Sequence, residues 1–296
     1  MTQRTSGARL FDIFNYLLLF LATALCIFPI LHVLAVSFSS STAAASGEVT
    51  LWPVEFNFTS YKYALAKPQF LDSFLVTLRR VGLGLAVNML LTILAAYPLS
   101  KENSELSGRS AYAWYFFVTI IFSGGLIPWY MTVKQLGMID TLWALVLPGA
   151  VPVFNVIILL NFFRQLPKEI GESAVMDGAG HWTILLRIYV PLSTPALATL
   201  ILFTCVGHWN SWFDGLILMG SPDHYPLQTY LQTITVNRDM SLFTTASQEE
   251  LQALSQISDR TLKSAQIFIA AAPILAIYPF LQKYFMKGIV LGSVKG

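Results

Sequence analysis

The chain has 296 residues, 55% of them hydrophobic and only 11% charged, less than half the charged share of about 25% in soluble domains. Eighteen Lys and Arg against 16 Asp and Glu leave a net charge of +2, with no basic run longer than Arg79-Arg80, which argues against a nucleic-acid partner. Cys26, Cys205 and four scattered histidines support neither a disulfide framework nor a metal cluster, and a mean hydropathy of +0.61 makes lipid the solvent for much of the surface.

A helix rising about 1.5 Å per residue needs about 20 residues to cross a hydrocarbon core of about 30 Å, and open strands would leave unpaired edges in lipid. The reading is therefore all-α: a polytopic membrane protein of one domain, 1–296, with six transmembrane helices at 13–38, 81–99, 110–133, 141–163, 190–218 and 264–282. The first run has 26 residues without Asp, Glu, Lys or Arg, too long for the apolar region of a cleaved signal peptide, about 7–15 residues. Residues 39–72 open like a flexible linker, Ser-Ser-Ser-Thr-Ala-Ala-Ala-Ser, then pass through Trp52-Pro53, Tyr61 and Tyr63, which predicts some order at the outer interface. Arg79 and Arg80, before the second span, read as snorkelling headgroup anchors. Pro29, Pro98, Pro148, Pro152 and Pro273 imply bends. Asn15, His32, Asn88, Asn155, Asn161 and His208 read as hydrogen-bond partners between helices.

Orientation follows from the basic residues. With the N-terminus in the cytoplasm, the inner segments 1–12, 100–109, 164–187 and 283–296 carry ten of the 18 Lys and Arg, so both termini are expected inside. In the fifth span Trp209 and Trp212 lie three apart and share a helix face, while Asn210 and Asp214, four apart, form a pair on an adjacent face. Aromatic faces stack on sugar rings and polar side chains bond hydroxyls, so these four are candidates for a substrate pathway; an interfacial tryptophan belt with a packing asparagine is the other reading. The outer segment 220–263 is expected to hold a surface helix at 247–257, either a docking site for an outside partner or a solvated loop.

The most specific signal lies at 167–190, Glu169-Ile170-Gly171-Glu172-Ser173-Ala174-Val175-Met176-Asp177-Gly178-Ala179-Gly180 followed by Ile188 and Pro191. Pro167 with Lys168-Glu169 can open a helix, Ser173 and Ala174 permit close approach of another surface, and Gly178 permits a left-handed turn. This stretch resembles the EAA loop of ABC-type importer permeases: Glu172, Ala174, Gly178, Ile188 and Pro191 match its offsets, while Ser173 replaces an alanine and Val190 a leucine. In that family the loop is a helix, a turn and a second helix docked into a cytoplasmic ATPase, which implies coupling roles for Glu172, Ser173, Ala174, Asp177 and Gly178. Residues 123–129 (Ser-Gly-Gly-Leu-Ile-Pro-Trp), 136–143 (Leu-Gly-Met-Ile-Asp-Thr-Leu-Trp) and 209–212 (Trp-Asn-Ser-Trp) resemble the maltose-type carbohydrate branch, closest to permeases for alginate or pectic oligosaccharides.

The resemblance implies one permease of a heterodimeric pore in a bacterial cytoplasmic membrane. It would work with a second homologous permease, two copies of an ATPase and an extracytoplasmic solute-binding protein, moving an oligosaccharide inward by alternating access. The chain has no Gly-x-x-x-x-Gly-Lys-Ser/Thr loop, so ATP and Mg are expected on the partner ATPase, with no catalytic residue, cofactor or metal here. One rival is an ion-gradient transporter, which would show an ionisable group deep in the membrane. A second is an intramembrane hydrolase built on His208 and Asp214, which lie on poorly matched faces of a continuous helix and have no identifiable nucleophile.

Overall fold

The computed structural model describes residues 6–236 and 258–293, and among these there is no strand. The surface helix expected at 247–257 lies outside the described residues. Contacts group the chain into two units, one drawn from 1–68 with 233–272 and the other from 69–232 with 273–296.

In the first unit, α1 (Ser6–Ser37) is a single helix through Pro29. Every residue from 13 to 31 is exposed, so the helix is apolar on all sides, the pattern of a segment meant for lipid or another apolar surface. The following segment is ordered from its first residues. Ser40 caps α2 (Ser41–Ser46) by accepting from the Ala43 N–H, and Gly47 at φ +78 ends it, as a left-handed C-cap favours glycine. Phe38 stacks on Tyr61 and Phe56 at 4.7 and 5.2 Å between centroids, and the Tyr61 hydroxyl meets Ser37 Oγ at 2.8 Å. That anchors α3 (Thr59–Ala66), and Arg260 donates to the Ala44 carbonyl at 3.1 Å.

The second unit is organised around α4 (Pro68–Ser100), a 33-residue helix about 50 Å long. Its buried face runs Phe70, Ser73, Thr77, Arg80, Gly84, Asn88, Thr92 and Ala96, steps of three and four that follow the helical repeat. The apolar end of that face packs in a core with Leu159, Phe163, Leu197 and Leu200.

Three of the expected spans are not continuous helices. The run 110–133 divides into α5 (Arg109–Ile121) and α6 (Leu126–Gln135), bent by 113°, because Gly125 adopts φ +88. The run 141–163 begins as two 3-10 turns and becomes α-helical only at α7 (Val153–Gln165), with a 48° bend; Pro148 and Pro152 each lack the N–H that an α-ladder needs. The fifth run follows α8 (Lys168–Met176) and α9 (His181–Ile184), passes through a π turn and α10 (Val190–Leu192), and turns by 81° into α11 (Thr194–Asn210). It breaks again before α12 (Phe213–Leu218). Beyond α13 (Leu227–Val236), α14 (Asp259–Ser293) contains the sixth expected run. Pro29, Pro98 and Pro273 lie inside uninterrupted helices. Three described helices are long and apolar enough to cross a membrane, or up to six if each bent pair is one span.

Candidate functional site

Two places bring the candidate residues together. The first is the turn between α8 and α9. Pro167, at φ −55, precedes the first residue of α8, and Glu169 occupies the first turn, where a carboxylate favours the positive helix end. The helix ends through a double backbone closure: the Gly178 N–H donates to the Val175 carbonyl and the Ala179 N–H to the Ala174 carbonyl, both at 2.9 Å. Gly178 at φ +77 makes that closure possible. A Cβ on Gly171 would stand 3.6 Å from the Tyr189 hydroxyl, and Ala174 packs on the core of the second unit. The opposite face is open, with Glu172, Ser173, Asp177 and Gly178 exposed and Met176 89% exposed. Val175, 59% exposed, extends the apolar part of that face.

The same turn is tied to the end of α4. The Tyr97 hydroxyl and His181 Nδ1 are 3.3 Å apart, Arg164 donates to the Leu99 carbonyl at 3.0 Å, and Lys168 donates to Glu102. That bond, then the charge behind it, holds the Glu102 carboxyl below its ordinary range and lifts Lys168.

The second place is the break between α11 and α12. Trp209 and Trp212 do not share a helix face, nor do Asn210 and Asp214 form a pair along one helix, because α11 stops at Asn210 and Ser211 is extended at ψ 122. Trp209 is 5% exposed, its ring edge-on to Phe74 at 5.9 Å. Trp212 is 38% exposed and Asn210 is also exposed. Of the four candidates, therefore, Asn210 and Trp212 present surface, Trp209 packs inward, and Asp214 is bound by its neighbours.

Those neighbours include the residue that sequence reasoning placed at the headgroups. Arg80 is buried, with a side chain 3% exposed against 19% for Asp214. Its guanidinium donates through both terminal nitrogens to the Asp214 carboxylate, and to the Ser211 carbonyl at 3.3 Å. Asp214 Oδ1 also accepts from Ser211 Oγ at 2.8 Å and from the Gly215 N–H at 2.9 Å. Thr77, one turn before Arg80 on α4, accepts from the Leu227 N–H at 2.7 Å. Thr229, two residues on, donates to the Trp212 carbonyl at 2.8 Å. With its carboxylate engaged by Arg80, Ser211 and Gly215, Asp214 does not form the pairing with His208 that a hydrolase would need. His208 instead lies where a Cβ on Gly84 would be, 2.3 Å from Nε2, so glycine at 84 is what lets α4 and α11 approach.

The only sequence signal for this arrangement was an arginine at the edge of an apolar run. Asp140 was also passed over, although at φ +62 it accepts from the Gly220 N–H at 2.9 Å and meets His224 Nδ1 at 3.0 Å. The His224 contact comes first among the causes that hold its carboxyl below the ordinary range.

The family described as "Binding-protein-dependent transport system inner membrane component" matches residues 85–290. Protein LplC of Bacillus subtilis is 40% identical over 294 residues, covering 99% of this chain and 98% of that one. The polygalacturonan/rhamnogalacturonan transport system permease protein YtcP of the same organism is 38% identical over 288 residues, 97% and 99% of the two chains. Among solved structures, a chain of a bacterial ABC transporter involved in importing the acidic polysaccharide alginate superposes with a TM-score of 0.88 at 30% identity, covering 96% of this chain and 100% of that one.

Proposed function

The chain belongs to this family of inner-membrane transport components, and from that premise we propose that it is one permease subunit of an ABC importer that carries oligosaccharides into the cytoplasm by alternating access. Each bent helix pair then acts as one broken span, giving six, with both termini inside. A second homologous permease completes the pore, two copies of a separate ATPase bind ATP and Mg, and an extracytoplasmic binding protein delivers the sugar. The observation that carries the reading is the α8–α9 turn. Its outer face exposes Glu172, Val175 and Met176, and its inner face rests on Tyr189 and the core around Phe163 and Leu200. A helix so mounted transmits displacement from a cytoplasmic ATPase into α4 and α11, because a packed interior is stiff. Glu172, Ser173, Ala174, Asp177 and Gly178 form this coupling element, and Asn210 and Trp212 are the sugar-facing candidates at the α11–α12 break.

The relatives' names favour a pectic or alginate-type glycan. Purification of the tagged chain from membranes should bring down an ATPase and a second permease. The reconstituted complex, loaded with binding protein, should take up a tri-galacturonate or an alginate trisaccharide only when ATP is supplied. Glu172→Lys should abolish that uptake while membrane abundance stays normal, since it reverses the charge at the docking face. Uptake by this chain alone, driven by an ion gradient, would defeat the reading.

A further inference from the structure

We infer that Arg80 and Asp214 are positioning residues: a buried, electrically self-cancelling clamp that fixes the α11–α12 break and thereby sets how Asn210 and Trp212 are presented. The inference rests on those two residues facing the sugar, but the clamp itself is defined independently by its bonds. Asn210 and Trp212 lie on either side of Ser211, in a stretch where the α-ladder is interrupted. What fixes their backbone comes from elsewhere in the chain. Arg80 reaches the Ser211 carbonyl and both oxygens of Asp214, and Thr229 holds the Trp212 carbonyl at 2.8 Å. Arg80 thus places a cation at the carbonyl end of α11, and Asp214 places an anion in the first turn of α12. Each is the sign that the adjoining helix end favours.

The same bonds exclude a second use of the charge. Asp214 Oδ1 already accepts from Arg80, Ser211 Oγ and Gly215 N–H, and the Arg80 side chain is 3% exposed. Arg80 Nε carries no hydrogen bond among the described residues but is buried, so a sugar carboxylate reaches the guanidinium only by displacing the half-buried Asp214 carboxylate from its cation. The pair therefore contributes geometry to sugar passage and no discrimination between uronate and neutral sugars.

The test uses the complete importer in proteoliposomes with Cys26 and Cys205 replaced by serine and Asn210→Cys as the reporter. The labelling rate at position 210 with an impermeant maleimide is compared in that background and with Asp214→Asn, Arg80→Lys, or the exchange Arg80→Asp with Asp214→Arg. Arg80→Lys keeps a cation but loses the two-bond fork, and it serves if Asp214→Asn fails to assemble. Asp214→Asn and Arg80→Lys should each change the labelling rate several-fold, and the exchange, which removes the donor to the Ser211 carbonyl and reverses the charge at both helix ends, should not restore it. In parallel, with Asn210 intact, the uptake KM for tri-galacturonate and for maltotriose should rise by a common factor of about ten while maximal velocity holds. An unchanged labelling rate in an assembled Asp214→Asn complex would overturn the clamp. So would a rise in KM confined to tri-galacturonate, which would make Arg80 a reader of substrate charge. If neither sugar is transported by the unaltered complex, the sugar reading fails, and the labelling rates still decide the clamp.

Discussion

Gly215→Ala tests how tightly the α11–α12 break is packed. A Cβ at this buried position would lie 2.2 Å from Thr229 Oγ1, 2.9 Å from Pro226 Cδ and 3.1 Å from Thr229 Cβ, where ordinary contact begins at 3.4 Å. Neither neighbour can swing aside: Pro226 is a closed ring, Thr229 is β-branched, and its hydroxyl is committed to the Trp212 carbonyl. The two backbones must separate by about 1 Å, an overpacking cost of about 1–3 kcal/mol. Loss of the Thr229 bond adds about 1 kcal/mol. Alanine's helix preference over glycine returns at most about 1 kcal/mol, leaving a net loss near 2 kcal/mol, or a fall of about 3 °C in thermal midpoint for a chain of this length. Thermal unfolding of the detergent-solubilised complex measures it. Thr229→Ala alone should cost about 1 kcal/mol through the lost bond. The double variant should be more stable than the sum of the single losses allows, because removing the hydroxyl makes room for the new methyl. An unchanged midpoint in Gly215→Ala, or strict additivity in the double variant, would refute the argument.

Three further outcomes follow from local geometry. Gly178 has φ +77 and nothing within 4 Å of its would-be Cβ, so Gly178→Val should cost about 1–2 kcal/mol from backbone strain alone, and Gly178→Asn much less, by thermal midpoint. Asp140 has its carboxyl held low by His224 and by the Gly220 N–H. Its stabilisation is therefore present above the unfolded carboxyl range and is lost as pH falls below about 4 toward the depressed folded value. Asp140→Asn should flatten that acid limb of the midpoint-against-pH curve while tolerating the left-handed φ, and an unaltered limb would remove Asp140 from it. The Glu102–Lys168 pair is exposed on both sides, 59% and 71%, so Glu102→Gln should leave the midpoint unchanged; a clear drop would mean the pair carries structural weight that its exposure denies.

What the chain could state locally was legible without coordinates. Long apolar runs declare helices in lipid because helical hydrogen bonds close within the segment itself. Gly178 marks a left-handed turn because its conformational freedom is a property of one residue, and the α8–turn–α9 order around it could be read from Pro167 through Gly180. Pro148 and Pro152 announced the bend in their run, whereas Gly124-Gly125 carried an equally local signal of interruption that the apolar content around it outweighed. Only the tertiary structure decided where the fifth run stops, what Arg80 does and why residue 84 is glycine. Arg80 and Asp214 are 134 positions apart, and Thr77 and Leu227 are 150 apart. A periodicity argument reaches three or four residues along a helix and carries no information across such separations. Trp209 and Trp212 show the consequence: spacing placed them on one face, whereas packing against Phe74 and the pull of Arg80 on Ser211 and Asp214 put one inside and left the other exposed.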